Sequence, residues 1–173
     1  TQDVHYSFTL FERSEDGFRV RVQTDNTDQP FDINQSSKLE LGSTAKLRVL
    51  ATYLEMVAEV HGRHFGKSVE ALRAIETDRQ DTLSRWVLDR LIENPELSLD
   101  ALLGIAMERR YSASPAEAFF TGGGRHTFSN FRREDNGRNP TLSEAMRESL
   151  NLPFIRLMRE LVRYSTHHAE HRS

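Results

Sequence analysis

Hydrophobic and polar residues follow two different periods along the chain, and the change from one to the other divides it. Residues 4–12 (Val-His-Tyr-Ser-Phe-Thr-Leu-Phe-Glu) and 18–23 (Phe-Arg-Val-Arg-Val-Gln) alternate or are rich in β-formers, and Ser14-Glu15-Asp16-Gly17 lies between them as a turn. That pattern predicts a hairpin. A polar stretch from Thr24 to Gln35, broken by Pro30, follows, and beyond it the period is helical. Leu47, Leu50, Leu54 and Val57 form one apolar stripe, predicting a helix from about Gly42-Ser43 to His61 with Gly62 as its stop. Further helices fit residues 68–76, 80–93 (Leu83, Trp86, Val87, Leu88, Leu91) and 98–109 (Leu102, Leu103, Ile105, Ala106). Ser114-Pro115-Ala116-Glu117 combines a capping-box pattern with proline at the first helical position, and Thr141-Leu142-Ser143-Glu144 is a second capping box. Helices are expected to start at both. Between them, Thr121-Gly122-Gly123-Gly124 and residues 125–140 are too rich in Gly, Asn and Arg for regular structure and read as a loop. The helix from Thr141 should end near Leu150, because Pro153 disfavours helical geometry at Leu152. A last helix then runs from Pro153 to about Tyr164, leaving residues 165–173 as a frayed tail. The expected fold class is α+β: an N-terminal hairpin and linker (residues 1–30) belonging to a larger sheet, and a predominantly helical subdomain of about six helices over residues 41–164.

A length of 173 residues suits one domain. No run of about 18 apolar residues is present to cross a membrane, and the first residues are polar and mixed in charge, unlike a signal peptide. The lack of cysteine excludes a disulfide scaffold, a Cys-ligated zinc and a thiol nucleophile, but identifies no compartment. The net charge of −3 is uneven: residues 1–120 are acidic, whereas residues 121–173 are basic through Arg132, Arg133, Arg138 and their neighbours. An anionic partner would suit that segment, but with no nucleic-acid motif and no basic helix face, no nucleic acid is expected as a partner.

Two motifs come close to known chemistry without reaching it. Gly62-Arg63-His64-Phe65-Gly66-Lys67-Ser68 resembles a phosphate loop, but the motif needs glycine where His61 stands, and no apolar strand precedes it. His61 with His64, and His167-His168 with His171, have spacings that could pair imidazoles on a helix. No HExxH accompanies them, so the first pair is expected at the surface of a helix end, the second in the tail, and no metal is expected.

Ser43-Thr44-Ala45-Lys46 opens the first long helix. A serine needs a base before it can attack, and a lysine three residues on lies one helical turn away, at a helix N-terminus that favours developing negative charge. Ser149-Leu150-Asn151 falls at the junction of two expected helices, where polar side chains can be aimed into a cleft. Each motif also has an ordinary reading, as a helix cap.

Together these residues resemble the penicillin-binding transpeptidases, most closely those of the bifunctional, class A-like peptidoglycan synthases, whose signatures include S-x-x-K, an S-D-N-type triplet and K-T-G. Leu41-Gly42-Ser43-Thr44-Ala45-Lys46 is similar to the family's Gly-Ser-Thr-x-Lys, and Thr127-Phe128-Ser129-Asn130-Phe131 to the segment ahead of its second motif. The run from Thr141 to Pro153 resembles its Thr-Leu-x-x-Ala-x-x-x-Ser-x-Asn-x-Pro, the most specific match. Three features depart from the family. Leu47 replaces a common proline. Ser43 and Ser149 are 106 residues apart, so the helices of residues 68–110 look like an insertion. No Lys-Thr-Gly or Lys-Ser-Gly follows Asn151.

The resemblance implies a serine D,D-transpeptidase or carboxypeptidase that cross-links peptidoglycan stem peptides through an acyl-enzyme and is acylated by β-lactams. Ser43 would be the nucleophile, Lys46 its general base and Ser149 the proton relay to the departing amine, while Asn151 would orient Lys46 and contact substrate. No cofactor is implied. The implied place is the bacterial periplasm or the outer face of the cytoplasmic membrane. Because the Lys-Thr-Gly wall is absent, the chain is expected to be a segment of a larger protein and poorly active by itself, with the remainder of the domain as its partner. The competing expectation is a noncatalytic helical interaction domain that docks through residues 125–138, and a third is a serine β-lactamase, for which no deacylating carboxylate is evident.

Overall fold

A computed structural model describes residues 6–15, 17–26 and 42–168. Over these described residues it is α+β, with about 53% in helix, and the chain divides into two units, residues 1–41 and 42–173.

In the first unit, β1 (Ser7–Ser14) pairs antiparallel with β2 (Gly17–Asp25). The chain reverses through Gly17 at φ +130, a conformation open to glycine and not to ordinary side chains. The first strand begins later than expected, with Tyr6 outside it, and ends two residues later at Ser14, while β2 extends the expected 18–23 at both ends, so the turn is tighter. A bulge leaves Arg21 between two cross-strand pairs, Leu10 with Val22 and Phe11 with Val20. The extra residue puts the adjacent Leu10 and Phe11 opposite alternate residues of β2, and Arg21 pairs with Glu12. Expected strand residues 4 and 5 lie outside the described residues.

In the second unit, a 3-10 turn (Gly42–Thr44) leads into α1 (Ala45–His64), followed by α2 (Val69–Arg73), α3 (Thr82–Glu93) and α4 (Leu99–Met107). Ser68, Asp81 and Ser98 cap the last three by accepting hydrogen bonds from the amides of Ala71, Ser84 and Ala101. Helix α1 is the centre of the core and packs against α3, α4 and α6 (Asn151–His168). Its buried face carries Val49, Leu50, Tyr53, Met56, Val57 and Val60, against Leu83, Val87, Leu91, Leu102, Leu157 and Leu161. The expected stripe is therefore off by part of a turn: Leu47 is 60% exposed, and Tyr53 takes a central place instead. Gly62 does not stop α1, because the left-handed position that ends a helix falls at Gly66 (φ +79).

The expected helix at Ser114 does not form. Residue Ser114 accepts from the amide of Ala116, two positions on, which makes a turn rather than a cap. Arg156 of α6 takes the carbonyls of Ser112 (2.6 Å) and Ser114 (2.8 Å), and Glu117 is drawn away to Arg156 and Arg159. Tertiary partners thus outcompete the local capping signal. The chain goes instead into a hairpin, β3 (Ala118–Thr121) and β4 (Gly124–Thr127), followed by a second 3-10 turn (Arg133–Gly137), so the expected loop contains regular structure.

At Thr141 the capping box forms as expected. The Thr141 hydroxyl accepts from the Glu144 amide (3.1 Å), and the Glu144 carboxylate accepts from the Thr141 amide (2.8 Å), starting α5 (Leu142–Arg147). Proline 153 does not delay α6, because it sits in the first turn, where its missing N–H has no helical partner to lose. Nor does α6 fray at Tyr164. It continues to His168, whose Nε2 lies 2.8 Å from Asp81 Oδ2 and whose ring packs on Tyr164.

Candidate active site

The i, i+3 spacing places Lys46 one turn along from Ser43, on the buried side of α1. Ser43 itself is exposed in the 3-10 turn, following Gly42 at φ +51, and it is not the cap of α1, a position that falls to Thr44. The Lys46 side chain reaches inward, with the residue only 9% exposed. Burial penalises its ammonium and holds the pKa below the usual 10.5.

The turn after α5 supplies the opposing group. The Ser149 amide donates to the Met146 carbonyl (3.2 Å) and the Leu150 amide to that of Ala145 (2.9 Å). These are the two bonds of a Schellman motif, with Ser149 at the left-handed position where glycine is usual. Ser149 has φ +57, the one positive φ at a non-glycine among the described residues. Buried Ala145 and Leu150 supply the apolar contact that accompanies such a motif. The expected helix cap is therefore present, and it is also what aims Ser149.

Ser149 presents both its oxygens to Lys46: Nζ is 2.5 Å from the carbonyl and 3.0 Å from Oγ. Lys46 Nζ also lies 3.2 Å from Ser43 Oγ, and the two hydroxyl oxygens are 2.9 Å apart. The three side chains thus form a closed triangle. As an ammonium, Lys46 donates to all three acceptors; as a neutral amine it offers a lone pair to the Ser43 proton. Either form fits the same positions. Ser43 and Ser149 line a cleft of about 710 Å³, together with Asn151, Arg138, Glu148 and Phe131, the last 97% exposed.

Asn151 differs from expectation. It lines the cleft at the start of α6, but its amide donates to the Ser129 carbonyl (3.2 Å) rather than orienting Lys46. The cause is a tether by Asn130, which is buried. Its Oδ1 accepts from the Leu152 amide (3.1 Å), one of the unpaired amides at the start of α6, and its Nδ2 donates to the Ala113 carbonyl (2.8 Å) and Asn136 Oδ1 (3.1 Å). The tether holds residues 129–130 against the second motif. Nothing in local spacing marks Asn130, since its partners lie 17 and 22 residues away.

A second buried cluster joins four parts of the helical unit. Glu160 accepts from Arg109 (2.8 Å), Thr82 (2.8 Å) and Tyr111, while Arg109 also donates to the Tyr53 hydroxyl (3.1 Å) and lies over the Trp86 ring. Desolvation together with the carboxylate pushes the Tyr111 phenol well above its ordinary range. The pair is structural, bonded on every side.

Histidine 61 is not at the surface. It is buried, with Nε2 2.8 Å from the Leu97 carbonyl and its ring stacked on Phe65, while His64 meets Lys67. Among the described residues no group of three or more His, Asp and Glu side chains could hold a metal. The near phosphate loop divides between the end of α1, a turn and the Ser68 cap of α2.

No protein-family model, curated protein or solved structure matches the chain.

Proposed function

We propose that this chain carries the nucleophile half of a serine D,D-transpeptidase site. The observation that supports it is the Ser43–Lys46–Ser149 triangle, assembled from residues 106 positions apart. Neutral Lys46 takes the Ser43 proton as Oγ attacks the carbonyl carbon of a D-alanyl-D-alanine amide. The carbon–nitrogen bond then breaks, and Ser149 passes the proton from Lys46 to the departing amine, leaving an ester on Ser43. A second stem-peptide amine attacks that ester, forms the cross-link and restores the serine. With a β-lactam the same attack opens the ring, and the amine stays tethered. Asn151, which lines the cleft, contacts the substrate. Chemistry of this kind belongs at the outer face of the bacterial cytoplasmic membrane, and no helix among the described residues is long and apolar enough to cross one.

In the family, a second oxyanion donor and one wall come from a strand bearing Lys-Thr-Gly, which this sequence does not contain. Loss of one oxyanion donor costs about 10²–10³ in rate. The reading therefore predicts slow labelling of this chain by a penicillin, confined to Ser43, and rapid labelling once a Lys-Thr-Gly strand is joined to it. Intact-mass analysis of both forms, with Ser43→Ala as control, tests this. No adduct on either form, or one that survives Ser43→Ala, would leave a noncatalytic helical module as the account.

A further inference from the structure

We propose that Arg138 is a positioning residue for Ser149, acting through Glu148; its relevance to acyl transfer rests on the reading above. Ser149 holds a left-handed backbone without being glycine, so something beyond local preference must keep the turn in place. Glu148 is the residue immediately before it, and its carboxylate takes both arms of the Arg138 guanidinium: Nη2 donates to Oε1 at 3.1 Å and Nη1 to Oε2. Nη1 also donates to Asp135 Oδ1 at 3.0 Å, and Asp135 is buried.

The backbone of Arg138 is held as well. The Arg138 amide donates to the Asp135 carbonyl (3.1 Å), its own carbonyl accepts from Ala113 (2.9 Å), and the neighbouring Asn136 is held by Asn130. An anchored fork can therefore impose a direction on Glu148 and, through it, on the next peptide. Lysine could not do this, since its single ammonium cannot bind a carboxylate in two parallel bonds. Arg138, Asp135, Glu148, Ser149 and Ser43 line the same cleft, so the brace and the hydroxyl pair border one space. Glu148 is thereby occupied and is not a free base for a bound ester.

The test follows the titration of the Lys46 ε-methylene by NMR in the folded chain, because Lys46 touches Ser149 at two atoms. In Arg138→Ala and Arg138→Lys the turn loosens, water reaches the amine, and its midpoint rises toward 10.5. Glu148→Gln separates positioning from simple charge. Removing a negative charge alone would lower the midpoint, whereas loss of the fork raises it. Acetylation of Ser43 by p-nitrophenyl acetate, mapped by peptide mass, is the second readout, and misplacement of the relay slows it by about tenfold or more in all three variants. A midpoint that is unmoved, or that moves in opposite directions in Arg138→Ala and Glu148→Gln, overturns the brace. Absence of Ser43 acetylation in the unmodified chain counts against the proposed function and not against the brace, which the Lys46 titration decides.

Discussion

Ser149 carries two burdens that substitution can separate: a backbone strained for any residue but glycine, and a hydroxyl bonded to Ser43 and Lys46. Ser149→Ala keeps the strain and loses the hydroxyl, while Ser149→Gly loses both. A left-handed conformation costs a side chain roughly 1–2 kcal/mol. Glycine returns about 0.4–1 kcal/mol of that through the freer unfolded chain. Because neither variant has a hydroxyl, their difference isolates the backbone, and Ser149→Gly should be more stable than Ser149→Ala by about 0.5–1 kcal/mol. Ser149→Ala itself should fall about 1 kcal/mol below the unmodified protein, the usual net worth of the hydrogen bonds it loses. Urea unfolding of the three proteins, compared at a common slope, reads these differences. Labelling then supplies the second axis: loss of a proton relay costs about 10²-fold or more, equally in both variants. The glycine variant is thus expected to keep near-normal stability and lose its chemistry. A Ser149→Ala protein as stable as Ser149→Gly would refute the strain argument, and undiminished Ser43 labelling in Ser149→Gly would refute the relay.

Four further outcomes are expected. Acetylation of Ser43 should accelerate with pH as Lys46 loses its proton, with an inflection below 10.5 because burial disfavours the ammonium, and Lys46→Met should abolish the inflection. Since the folded-state pKa lies below the unfolded value, stability should also climb between that inflection and 10.5, where only the unfolded chain stays protonated, and Lys46→Met should flatten the climb. Glu160→Gln leaves Arg109 buried without its carboxylate and should cost about 3–5 kcal/mol in urea unfolding. Asn130→Ala orphans the Leu152 amide and the Ala113 carbonyl and should cost about 1–3 kcal/mol, read the same way.

What could be read from the chain follows the range of the interactions concerned. Thr141 and Glu144 satisfy each other three residues apart, so their capping box was visible in four letters. Ser43 and Lys46 are likewise one turn apart, and their meeting follows from helix geometry alone. Ser149 stands out by its place at a helix junction and by resemblance, but no periodicity brings residue 149 to residue 43; the fold does so through the Schellman turn. Ser114 shows the opposite case: its capping signal was as good as that of Thr141, but two arginines of α6, more than 40 residues on, claimed the carbonyls and the glutamate. The partners of Asn130, Glu160 and His168 are not legible in the sequence for the same reason: each bonds to residues remote along the chain, although Asn130 lies in the segment that resembles the family and His168 in the histidine-rich end.

The central claim is that the Ser43–Lys46–Ser149 triangle activates Ser43. The most direct test is the time course of intact mass with a penicillin, comparing the chain alone and joined to a Lys-Thr-Gly strand, each with its Ser43→Ala control. The account predicts one adduct per molecule, slow on the chain alone and at least 10²-fold faster on the joined form, absent from both controls. No adduct on the joined form, or equal labelling with and without Ser43, would contradict it.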